Sequence, residues 1–287
     1  MNARRVIVGL LVSITLVLLA ILGVGEVLSR PFPRVVGAPP PDLRAQSISF
    51  PTAAGDVVSG WLSRGVEGRG AILLLHGVRS DRRSMLGRAR MLARLGYSVL
   101  LVDLPAHGES TGDRITFGLR EGEGVRAALD SLRVELPGEP IGVVGVSLGA
   151  AAMVLSRAAR PPDAVVLESM YPTIEEAVAN RLTRRLGPAG GVLAPLLLVQ
   201  LPLRLGVTAN RLRPIAELPS LGAPVLIVSG TRDEHTTIAE TERMFAAAAE
   251  PKELWAVEGG THGDLYVRDA RAYEARVVPF LAKYLGR

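Results

Sequence analysis

Residues 6–25 form the first apolar run, twenty positions without a charge. As an α-helix rising about 1.5 Å per residue they span about 30 Å, the thickness of a bilayer's hydrocarbon core. A secretory signal has a shorter apolar stretch, and no A-x-A pattern follows this one. The expectation is an uncleaved transmembrane anchor over residues 1–30. Residues 31–42 hold five prolines, and a linker over 31–44 reads as a stiff, extended spacer. Beyond it the pattern changes. Short strands are expected at 47–50 and 57–62, joined by a turn around Ala54-Gly55-Asp56. Residues 71–75, 97–102, 141–146, 164–167, 225–228 and 254–257 read as buried strands, nearly all of them apolar. Between them apolar residues recur at helical spacing. Met85, Ala89, Leu92 and Leu95 form one such set, and Val125, Ala128, Leu129, Leu132 and Leu136 another. Further helices are expected at 148–159, 239–249 and 270–285. This alternation predicts an α/β domain over 45–287, with a mostly parallel sheet covered by helices on both faces.

One stretch interrupts the alternation. Residues 172–222 separate two strands by far more than a usual crossover. Within them 192–203 (VLAPLLLVQLPL) is apolar but too short for an ordinary membrane span. Positions 177–216 carry six arginines and no acid. The stretch reads as a lid over the carboxyl end of the sheet. It offers an apolar wall for a substrate chain, a surface for anionic lipid, or simply a solvated basic face.

Composition narrows the function. With 48% apolar and 21% charged residues, the chain is not disordered. Aromatic residues are only 4%, which argues against a base-stacking platform. There is no cysteine, hence no disulfide, thiolate metal site or cysteine nucleophile. Residues 1–44 contain five arginines against Glu26 and Asp42, so +3 of the net +5 lies there and +2 on the remaining 243 residues. No nucleic-acid partner is expected from so small an excess. Arg4 and Arg5 before the apolar run balance Arg30, Arg34 and Arg44 after it, so the positive-inside count does not separate the sides. The domain is read as extracytoplasmic.

Five segments carry chemistry. Gly145-Val146-Ser147-Leu148-Gly149 sits between a buried strand and a helix, where a tight turn lifts the serine hydroxyl above the sheet. A serine needs a base. Of the four histidines, His262 lies in a loop after the last strand, the position of a base on an open parallel sheet. His235 competes, but follows the candidate acid by only two residues. That acid, Asp233, follows the strand at 225–228, with Glu234 and Glu168 as fallbacks. Asp233 lies 86 residues after Ser147 and 29 before His262, the order Ser…Asp…His. An oxyanion needs two backbone N–H donors. Leu148 supplies one and Val78, after His76-Gly77, the other. His76 and His107 are then loop-fixing residues. Arg79, Arg82 and Arg83 suggest a site for a carboxylate or phosphate, against ordinary surface charge as the plainer reading.

The segments LLLHGV (73–78), DLPAHGES (103–110), GVSLG (145–149), GTRDEHT (230–236) and GGTHGD (259–264) resemble those of the α/β-hydrolase superfamily, in its order. The likeness is greatest to bacterial membrane-anchored serine hydrolases related to serine aminopeptidases and acylaminoacyl peptidases. It implies an eight-stranded, mostly parallel sheet and a serine nucleophile that needs no metal or cofactor. The motif residues carry over as Ser147 nucleophile, Asp233 acid and His262 base. The expected activity is hydrolysis of carboxylic esters through an acyl-enzyme, on a small or lipophilic acyl substrate at a membrane. A peptidase or amidase using the same residues is the alternative. The absence of acids from 177–216 weakens an aminopeptidase, and Glu175 and Glu176 just before it keep one open.

Overall fold

A computed structural model describes residues 3–263 and 265–286. Strands that are apolar on both faces need helices on both sides, and the chain supplies them. Among the described residues, one sheet has eight strands: β1 Ala45–Pro51, β2 Val57–Ser63, β3 Ala71–Leu75, β4 Ser98–Val102, β5 Ile141–Val146, β6 Ala164–Glu168, β7 Val225–Gly230 and β8 Lys252–Val257. Their spatial order is β1-β2-β4-β3-β5-β6-β7-β8. β2 runs antiparallel to β1 and β4, and the remaining neighbours are parallel. Side chains alternate across the sheet. Leu73, Leu75, Val143, Val165 and Leu167 enter one core cluster, and Ile72, Leu74, Val144, Val166 and Leu226 the other. Helices α3 (Leu119–Glu135) and α4 (Leu148–Leu155) fill the first; α2 (Leu86–Arg94) and α10 (Ala270–Leu285) fill the second.

Boundaries differ from expectation where polarity hides them. β8 begins at Lys252, before its apolar run, because an edge strand tolerates charged residues. The helix expected at 148–159 stops at Leu155. There the Ser156 hydroxyl donates to the Met153 carbonyl at 2.6 Å, and Arg157 turns to φ +46°.

Helix α1 (Ala3–Ser29) is long and apolar enough to cross a membrane by length and composition, a test that a signal sequence also passes. The proline-rich stretch after it does not hold the domain at a distance. Phe32–Pro33 pairs in parallel with His107–Gly108, and the Val36 and Gly37 N–H groups donate to Glu109 Oε1 at 3.0 and 2.8 Å. Extended backbone keeps its donors and acceptors free for such pairing. The last turn of α1 is tied in as well, since Ile115 N–H donates to the Ser29 carbonyl at 2.9 Å.

Between β6 and β7 lies α5 (Ile174–Leu186), whose start is capped by Thr173. Four short helices follow: α6 Ala189–Val192, α7 Ala194–Leu198, α8 Leu201–Leu205 and α9 Pro214–Glu217. Proline in the first turn of α7, α8 and α9 restarts the chain each time.

Candidate active site

Parallel strands of similar register end together, so the loops after β3, β5, β7 and β8 gather at one rim. Ser147 tops the turn between β5 and α4. Its φ of +51° is a conformation that non-glycine residues rarely adopt, and its N–H donates to the Glu168 carbonyl at 2.8 Å. The flanking glycines are required by space. A Cβ on Gly149 would lie 2.5 Å from the Leu75 carbonyl oxygen, and one on Gly145 would lie 2.7 Å from Ala150 N.

Three distant residues meet here. Ser147 Oγ lies 3.2 Å from His262 Nε2. His262 Nδ1 lies 2.8 Å from Asp233 Oδ2 and 3.1 Å from Oδ1. An ionised carboxylate only accepts, so Nδ1 carries the proton and Nε2 is left to accept from the serine hydroxyl. Asp233 Oδ1 also accepts the backbone N–H groups of His235 and Thr236 at 2.8 and 2.9 Å. Burial pushes the Asp233 carboxyl up, but the His262 hydrogen bond and charge and these two donors outweigh it and hold it below the usual range. The two loops brace each other, since Arg232 N–H donates to the Gly260 carbonyl at 2.7 Å and Gly259 N–H to Thr231 Oγ1 at 2.8 Å. Asp264, which closes the fifth motif, lies outside the described residues, as do Met1 and Asn2 ahead of α1.

The competing carboxylates are engaged elsewhere, and the competing imidazole packs on the base itself. The His235 ring lies tilted against that of His262, with centroids 4.8 Å apart. Burial and the neighbouring His262 push its pKa down to about 4. Glu234 pairs with Arg184 at 2.8 Å on the surface. Glu168 is buried, accepting Arg88 Nε and Nη2 at 2.9 and 2.6 Å and the Tyr273 hydroxyl at 2.5 Å. This carboxylate joins β6 to α2 and α10. Glu168→Ala is expected to lower unfolding free energy by about 3–5 kcal/mol, as when one partner of a buried pair is removed. Denaturant unfolding checks it, and a loss under about 1 kcal/mol, the surface-pair range, would contradict it.

The loop after β3 lies against the nucleophile, for a Cβ on Gly77 would sit 3.7 Å from that of Ser147. Leu104 N–H donates to His76 Nε2 at 3.0 Å, so the ring proton is on Nδ1 and donates to the Gly77 carbonyl at 2.7 Å. Holding that carbonyl fixes the plane of the peptide it shares with Val78 N–H, which points the opposite way. Burial, and next the neighbouring His107, push the His76 pKa down to about 3, so the ring stays neutral. His107 donates from Nδ1 to the Pro105 carbonyl at 3.0 Å and meets His76 edge to face. Leu148 is the first residue of α4, and first-turn N–H groups have no acceptor within their own helix.

The three arginines beyond Val78 are held within the protein. Arg79 donates to the Val27 carbonyl of α1 at 3.0 Å and lies over the Phe32 ring. Arg82 is buried between Asp103 and Glu109, and Arg83 forks onto Asp81 at 2.9 and 2.7 Å. The open cleft beside His262, about 550 Å³, is lined by Arg184, Arg232, Glu234, His235, Thr261, His262 and Gly263. Its lining residues are polar or charged apart from Gly263, and the apolar stretch 192–203 does not line it. The sequence reading missed the paired N–H donors on Asp233, the Glu168 carbonyl on Ser147 N and the tie from Arg79 to α1. The first has a local signal, an aspartate accepting from N–H groups two and three residues on, whereas the other two join segments far apart in the chain.

This sheet order, with a serine on a strained turn after the fifth strand, belongs to the α/β hydrolases, and the chain is a member of the alpha/beta hydrolase family, whose sequence model matches residues 72–276. It is 33% identical over 215 residues to the uncharacterized protein Rv2307c of Mycobacterium tuberculosis, covering 74% of this chain and 70% of that one. It is 26% identical over 236 residues to the uncharacterized protein YqkD of Bacillus subtilis, covering 81% and 77%. Among solved structures, the esterase Pf2001 of Pyrococcus furiosus superposes with a TM-score of 0.75 at 23% identity, over 90% of this chain and 99% of that one. The esterase RhEst1 of Rhodococcus sp. ECU1013 gives 0.60 at 18%, over 83% and 99%. At these identities the structural likeness establishes the fold.

Proposed function

We propose that this chain is a serine esterase anchored by α1, acting on acyl esters without a metal or cofactor. The observation that carries the reading is the hydrogen-bonded relay from Ser147 through His262 to Asp233. Ser147 Oγ attacks the ester carbonyl while His262 Nε2 takes its proton. Asp233 stabilises the imidazolium that forms. The N–H groups of Leu148 and Val78 receive the negative oxygen. His262 then returns the proton to the departing alcohol, and water releases the acyl group by the same route. The esterases among the solved relatives support an ester over an amide.

Peptide or amide cleavage by the same residues is the second reading. Glu175 Oε2, in the first turn of α5, is buried without a protein partner and would suit an amino group. Against it, Glu176 is already bound to Thr173 and Arg243. A fluorophosphonate probe is expected to label Ser147. Esters of a given acyl group are expected to turn over faster than the matching amides. Faster amide cleavage would reverse the assignment, and failure of the folded chain to label would remove it.

A further inference from the structure

The lid carries more exposed apolar surface than a solvated face needs. Val192, Val199 and Leu203 are 77%, 70% and 96% exposed, and Leu186, Leu193 and Leu196 are exposed in the same eighteen residues. Scattered exposed apolar residues are ordinary, but a cluster marks a contact. The stretch is also fastened to α1. Gln200 Nε2 donates to the Ile21 carbonyl at 3.1 Å, Arg204 Nη2 donates to the Leu22 carbonyl at 2.9 Å, and Arg204 pairs with Glu26.

That attachment sets a depth. A twenty-residue span beginning just after Arg5 ends at Gly25. The lid grips α1 at Ile21 and Leu22, three to four residues earlier, which is about 5 Å inside the hydrocarbon boundary. Interfacial helices bury their apolar faces to about 5–10 Å. Charge agrees, since positions 177–216 hold six arginines and no acid, and Arg185, Arg211 and Arg213 are exposed. Arg30 and Arg34, just beyond α1, are exposed too. Anionic headgroups complement such a rim.

We propose that residues 186–203 seat in the interface of an anionic bilayer as a second membrane contact beside α1, an inference that rests on α1 spanning that bilayer and not on the catalytic reading. Seated in this way, the domain cannot swing on its anchor. The lid begins with α5, which reaches the cleft through Asn180 to the His235 carbonyl at 3.2 Å and Arg184 to Glu234. The lipid contact and the catalytic rim therefore share one structural element.

The chain has no cysteine, so single thiols can be introduced cleanly. Leu203→Cys, with Val199→Cys as a second site, is labelled with nitrobenzoxadiazole in the full chain. The labelled chain is reconstituted into phosphatidylcholine–phosphatidylglycerol vesicles. Val134→Cys is the reference, exposed at the end of α3 that leads into the start of β5. Emission from the lid label is expected to shift to the blue. Shallow doxyl-lipid is expected to quench it several-fold more than it quenches the reference, and aqueous iodide several-fold less. Equal iodide quenching at both sites, with the chain floating alongside the vesicles, overturns the docking and leaves the anchor standing. A chain that washes off the vesicles overturns both. Shielding from both quenchers means that a second copy covers the face, and overturns the lipid assignment. Equal behaviour in pure phosphatidylcholine overturns the role of the anionic headgroups. Ser147→Ala leaves every readout unchanged, which separates this inference from the proposed activity.

Discussion

Ser147→Ala lowers kcat/KM for short p-nitrophenyl esters by about ten-thousand- to a million-fold, down to what the oxyanion donors and substrate binding still supply. The substitution removes only the Oγ. The backbone keeps its φ of +51°, its N–H keeps the Glu168 carbonyl, and the imidazole keeps its carboxylate. The relevant hydrogen bond is the single one to His262 Nε2, so folding is spared, and an unchanged thermal transition serves as the control. Fluorophosphonate labelling should vanish in the same variant. Unchanged ester turnover by purified Ser147→Ala protein would refute the nucleophile assignment, because no other hydroxyl is proposed to reach the base.

What could be read in advance depended on the range over which each feature is encoded. A strand buried on both faces must be apolar throughout, so Ala71–Leu75 and Ile141–Val146 announce themselves at their observed limits. The turn at Ser147 was legible because its glycines and flanking elements lie within a few residues. The order of Ser147, Asp233 and His262 could be read because each follows a recognisable strand. Pairings across the fold left no such mark. Arg88 and Glu168 are separated by 80 positions, and either alone reads as a surface charge. Phe32–Pro33 reads as free spacer until the loop at His107–Gly108 is brought beside it. Arg79 reads as ordinary surface charge, with an anion ligand as the lesser alternative, because nothing in the sequence places the Val27 carbonyl within its reach. Local geometry is written in neighbouring residues, whereas the partners of polar groups follow from topology.

Asp233→Asn should cost about ten-thousand-fold in ester turnover, while the alanine variant of a carboxylate serving only as a surface charge would cost little. The reason is the direction of one proton. Oδ1 of residue 233 must accept the backbone N–H groups of His235 and Thr236, so the amide oxygen of an asparagine is drawn to that position. Its NH₂ then occupies the Oδ2 position, 2.8 Å from His262 Nδ1. A donor there forces Nδ1 to accept, which moves the ring proton to Nε2, facing Ser147 Oγ at 3.2 Å. An imidazole that donates to the serine cannot take its proton. Among the described residues the other candidate acids are already engaged, Glu168 by Arg88 and Tyr273, and Glu234 by Arg184. The prediction is checked by kcat/KM on the folded variant. NMR of the His262 ring nitrogens should show the proton moving from Nδ1 to Nε2. Turnover within about tenfold of the parent, less than one oxyanion donor is worth, would mean that Asp233 does not set the tautomer.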